Sequence, residues 1–105
     1  MGKPVAEAVP TELGLRLKSF RESADVTQRM LSLAAALSPS VVWQIECGLI
    51  QAPGAEVMSD IAAALGVSLE WLVSGRGKAP TETQRRAASD LVVRAAEKRS
   101  TGTEG

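Results

Sequence analysis

Apolar residues recur along this chain at three- and four-residue intervals, the spacing that lines up side chains on one face of an α-helix. Leu13, Leu17 and Phe20 predict a first helix over about Glu12–Ser23. Thr11 ahead of it is a good N-cap, and Glu12 stands at the positive end of its dipole. Thr27 caps a second helix that turns Leu31, Ala34 and Ala35 toward a core. That helix is short, because Ser38-Pro39 announces a new start. Ser38 serves there as N-cap, with Pro39 at the first helical position, where a missing N–H costs nothing. The third helix then runs over 38–46 and stops at Gly48, the residue type that most easily takes a left-handed C-cap.

Gln51-Ala52-Pro53-Gly54 reads as a loop. Val57, Ile61, Ala62 and Leu65 predict a fourth helix ended by Gly66, and Ser68 caps a short fifth one holding Leu69 and Leu72. Thr81-Glu82-Thr83-Gln84 is a capping box that opens a sixth helix, whose apolar stripe is Ala88, Leu91, Val92 and Ala95. Nothing alternates with the period of a strand. The expected fold class is therefore all-α: a five-helix domain over 11–75, a Gly/Pro linker at 76–80 and an amphipathic C-terminal helix over 81–99. Residues 1–10, with two prolines, read as a flexible arm, and 100–105 as a disordered tail.

A length of 105 residues leaves room for one core, and with a single Phe, two Trp and no Tyr it must be filled by aliphatic side chains. The single cysteine, Cys47, excludes an internal disulfide, and the absence of His removes the usual metal-ligand sets, so no metal or cofactor is expected. An enzyme is not expected either. Cys47 lacks the helix N-terminus or neighbouring cation that activates a thiol, and no glycine loop is built to cradle phosphate. No apolar run approaches a bilayer span, and Met1-Gly2-Lys3-Pro4 does not open a signal peptide, so the expected location is the cytoplasm, with no membrane partner. Charge is balanced at 12 basic and 12 acidic residues, but unevenly placed. Four basic residues face seven acids from Thr11 to Gly75, and seven face four from Arg76 onward.

Four segments carry a family resemblance. Leu13-Gly14-Leu15-Arg16-Leu17-Lys18-Ser19-Phe20-Arg21 resembles the opening helix of the Cro/C1-type (XRE-like) helix-turn-helix family, the lambda-repressor-like DNA-binding domains. Thr27-Gln28 followed by Leu31 is similar to the start of that family's second helix, and Ile45-Glu46-Cys47-Gly48 to the close of its recognition helix. The run from Ile61 to Leu72, with its Leu69-Glu70-Trp71-Leu72, looks like its fourth and fifth helices. The resemblance implies a regulator that binds double-stranded DNA as a homodimer on a pseudo-palindromic operator, with the third helix in the major groove. It implies base contacts from Pro39, Ser40, Trp43 and Gln44, with Val41 near a phosphate and Gln28 bracing the backbone. Gln44 is the best single reader, since its amide can bond adenine N6 and N7 together. Arg21 and Glu46 match positions that pair in the family as a structural ion pair, and Trp71 matches a packing residue. The sixth helix is expected to join the dimer through Ala88, Leu91, Val92 and Ala95, its rival role being to pack back on its own domain.

Departures from the family's pattern favour a second reading. The loop Leu49-Ile50-Gln51-Ala52 carries no charge, and Ala36 replaces the turn glycine, which predicts a less sharp turn. Arg16, Lys18 and Arg29 are the basic residues of the helical core within reach of phosphate. Val41, Trp43, Leu49 and Ile50 would then form an exposed apolar face for a protein partner, turning the domain into an interaction module.

Overall fold

The computed structural model describes residues 8–102. Its helices are α1 (Glu12–Ser23), α2 (Gln28–Ala34), α3 (Val41–Cys47), α4 (Ala55–Leu65), α5 (Leu69–Ser74) and α6 (Glu82–Gly102), with no strand among the described residues. The fold is all-α as expected. Each predicted N-cap of α1, α2 and α5 works as one: Thr11, Thr27 and Ser68 accept from the amides of Gly14, Met30 and Trp71 at 2.9, 3.0 and 3.0 Å. The capping box of α6 is reciprocal. Gln84 N–H donates to Thr81 Oγ1 at 3.1 Å, and Thr81 N–H donates to Gln84 Oε1 at 2.8 Å.

The turn between α2 and α3 is as tight as a glycine would make it. Ala36 adopts φ 62°. The amides of Leu37 and Ala36 return to the carbonyls of Ser32 and Leu33 at 2.8 and 3.0 Å, the paired bonds that close a helix through a left-handed residue. The expected loosening does not occur, because these bonds and the half-buried Leu37 hold the alanine in a conformation it disfavours. The start of α3 also differs from expectation. Ser38–Val41 is a β-turn closed by a 3.1 Å bond, with Pro39 at its second position, so the helix begins at Val41. The Val42 amide is satisfied from outside α3, by the buried Ser32 hydroxyl at 3.2 Å. At the other end Gly48 takes φ 91°, and a Cβ there would strike the Val9 carbonyl.

Leu17, Leu31, Val42, Ile45, Ile61, Leu65 and Leu72 are fully buried and form the centre of the core. At the α1–α3 crossing, a Cβ on the buried Gly14 would lie 2.5 Å from the Ile45 carbonyl, so only glycine allows this approach. Trp71 is half-buried, edge-on to Phe20 with ring centroids 5.9 Å apart.

The sixth helix packs back on its own domain, against α2 and α4. Ala88, Val92 and Ala96 are buried there, one face at four-residue spacing. Arg85 ties its start to α1, donating to Ser23 Oγ at 3.0 Å and covering the Phe20 ring at 5.8 Å. Arg85 and Arg86 also hold the Glu82 carboxyl below the usual carboxylate range. The expected dimer set is thus corrected for two members, because Ala88 and Val92 are enclosed within the protomer; Ala95 is half-buried and Leu91 stays exposed. The helix also continues through 100–102, where a disordered tail was expected. Residues 1–7 of the predicted arm and 103–105 of the predicted tail lie outside the described residues.

Candidate nucleic-acid interface

Arg21 and Glu46 form a closed fork. Arg21 Nε and Nη2 donate to the two Glu46 carboxylate oxygens at 2.7 and 2.9 Å, and Nη1 donates to the Val26 carbonyl at 2.7 Å. Both side chains are buried, at 9% and 2% exposure. The pair joins α1 to the end of α3 and fixes how the third helix leaves the core. Gln28, the first residue of α2, enters the same network, its Nε2 donating to Glu46 Oε1 at 2.9 Å.

Two shallow clefts meet at this point, and Lys18 and Gln28 line both. One continues past Arg21, Glu22, Asp25 and Thr27 at the α1–α2 junction. The other, about 390 Å³, runs between Leu15, Trp43 and Cys47 to Ala8 and Pro10. Lys18 makes no ion pair or hydrogen bond among the described residues, and neither does the exposed Arg29. Lys18 therefore belongs to the candidate site beside Gln28. Its position one turn before Arg21, on the α1 face that meets α3, was the signal for it.

The expected reading residues fall into two groups. Pro39 and Ser40 are exposed on the turn entering α3, and Trp43 is 38% exposed. Gln44 is half-buried, and its side-chain amide makes no hydrogen bond among the described residues. Val41, by contrast, packs against the core from a half-buried position. Arg16 is the clear correction. Its Nε and Nη2 donate to the carbonyls of Leu72 and Val73 at 3.1 and 2.9 Å, capping the end of α5. A guanidinium held by those carbonyls is a brace between α1 and α5, not a phosphate contact.

The expected apolar face is rearranged as well. Ile50 and Val41 lean on the core, while Trp43 shares its cleft with Leu15, which is 52% exposed. Leu49 remains exposed. Cys47 is half-buried, its thiol 3.6 Å from the Gln44 carbonyl. Among the described residues no set of His, Cys, Asp and Glu could hold a metal ion, and no helix is long and apolar enough to cross a membrane.

A family model described as helix-turn-helix matches residues 17–72, more than half of the chain. The chain belongs to this helix-turn-helix family. The match begins in α1 and ends in α5, so α2, α3 and α4 lie wholly within it and α6 beyond it. Two sequences of Mycobacterium tuberculosis, from strains CDC 1551 / Oshkosh and ATCC 25618 / H37Rv, are each 40% identical to this helix-turn-helix chain over 73 residues. Both are named uncharacterized HTH-type transcriptional regulators. The match covers 69% of this chain and 51% of each relative, so the chain spans about half the length of the curated relatives it matches. No solved structure matches it.

Proposed function

We propose that this helix-turn-helix domain is a transcriptional regulator that binds double-stranded DNA sequence-specifically, with α3 in the major groove. The observation that carries this reading is the cluster at the α1–α2–α3 junction. Lys18 and Gln28 flank the cleft that Trp43 lines, and the amide of the next residue, Gln44, makes no hydrogen bond among the described residues. A cation and an amide beside the helix suit phosphate, and an amide on the helix suits adenine. The relatives' names as HTH-type transcriptional regulators support the same assignment.

One copy brings few cations to this surface, so two copies on a two-fold operator form part of the proposal. With Ala88 and Val92 enclosed, we place the second copy at the open groove between α4 and α5. That groove is lined by Pro53, Met58, Leu69 and Val73, and its Leu69 and Val73 are 39% and 41% exposed. The test is capture of fragmented genomic DNA by the purified protein at low salt, repeated with Gln44→Ala. Discrete enriched fragments whose pattern changes with the substitution support the reading; no enrichment at low salt rejects it.

The exposed apolar residues favour one rival. Leu15 and Trp43 are exposed and line the cleft that borders α3, and a protein partner could cover them. Failed DNA capture would make that reading the better one.

A further inference from the structure

We infer that Glu46 is a positioning residue for DNA binding: its carboxylate, neutralised by Arg21, holds the Gln28 amide ready for the phosphate backbone. The inference rests on the DNA-binding reading and adds to it a residue that touches no DNA.

A carboxylate accepts hydrogen bonds and donates none, so the Gln28 amide must turn its nitrogen inward to meet Glu46 Oε1 at 2.9 Å. The second N–H of that nitrogen is then left for an external acceptor, beside the cation of Lys18 on the shared clefts. Glu46 can act in this way because both its oxygens are held. Its oxygens are gripped by Arg21 at 2.7 and 2.9 Å, and its side chain is 2% exposed. Arg21 has a second effect. An unpaired carboxylate under this surface would repel phosphate, and the guanidinium cancels that field. A free glutamine loses rotamer entropy when it binds, whereas one already held by a buried carboxylate loses less.

The test is a double-mutant cycle on Gln28→Ala and Glu46→Gln, using a labelled mixed-sequence DNA duplex at low salt and fluorescence anisotropy. A mixed sequence suffices because a phosphate contact does not depend on bases. Thermal unfolding is followed in parallel. Gln28→Ala should weaken binding about tenfold, which corresponds to about 1.4 kcal/mol. Glu46→Gln offers a single carbonyl acceptor, which Arg21 claims, so it should weaken binding by a similar factor. The double variant should bind no worse than Gln28→Ala alone, although Glu46→Gln lowers the unfolding temperature in both backgrounds. A double variant weakened by the product of the two factors would overturn the inference, since Glu46 would then act without Gln28. Wild-type protein that ignores the duplex overturns the DNA-binding reading itself.

A measurement on the unmutated chain stands if a variant fails to fold. The side-chain amide of Gln28 should show an order parameter of roughly 0.8 or more without DNA, near that of rigid backbone. A value below about 0.6, typical of a flexible group, would contradict pre-positioning.

Discussion

Ala36 shows how much one backbone angle can demand of a residue. At φ 62° an L-side chain crowds its own carbonyl, at a cost of roughly 1–2 kcal/mol that glycine does not incur. Ala36→Gly should therefore raise stability by about 0.5–1 kcal/mol after glycine's extra unfolded-state entropy is deducted. Urea unfolding checks this, and a loss of stability would mean that the turn is not strained. The buried fork makes the opposite prediction. Glu46→Ala should cost roughly 3–5 kcal/mol, because Arg21 is left charged and buried, while replacing both partners by apolar residues should cost less. Denaturant midpoints of the single and the double variant separate the two cases. At this scale the sequence was unevenly legible. The Arg21–Glu46 pair followed from motif residues. The caps of α1, α2, α5 and α6 followed from local chemistry that works within three or four positions, whereas the Ser38 cap expected for α3 gave way to a turn. Arg16 was misplaced because its partners are carbonyls 56 and 57 residues away, and backbone acceptors leave no mark in the sequence.

Among the elements, α6 departs furthest from the sequence reading. Its apolar stripe was plain, but a stripe says only that a face is covered, not by what. The structure answers with α2 and α4, through Ala88, Val92 and Ala96. Ending the chain after Gly77 should therefore lower stability by at least the ~1.5–3 kcal/mol that burying one valine side chain contributes. The same truncation should leave the oligomeric state unchanged, whereas Leu69→Glu with Val73→Glu should yield monomers. Sedimentation of the two proteins decides between α6 and the α4–α5 groove, and the reverse pattern would return the dimer contact to α6. The α1–α3 crossing makes a separate claim. Gly14→Ala forces a methyl against the Ile45 carbonyl and should cost about 1–3 kcal/mol, the usual range for an overpacked contact. Glycine within a helix carries a propensity cost that a packing reason normally explains, and here the crossing is that reason.

Over the whole molecule, charge sets the character of the interface. The chain is neutral, and Arg16 and Arg21 are engaged internally, which leaves Lys18 and Arg29 as the cations of the helical core with no ion pair or hydrogen bond among the described residues. If each neutralises one phosphate in both copies of a dimer, log K should fall with log salt at a slope of about −4, from roughly 0.9 per phosphate. Much steeper dependence would mean that the basic residues of α6 take part. The most direct test of the account is an amide-shift titration of the labelled protein with a duplex carrying a captured fragment. It should move the amides of Lys18, Gln28–Met30 and Pro39's neighbours through Gln44, and leave most of α6 in place. Shifts confined to α6, or none at saturating duplex, would contradict a DNA surface built on α3.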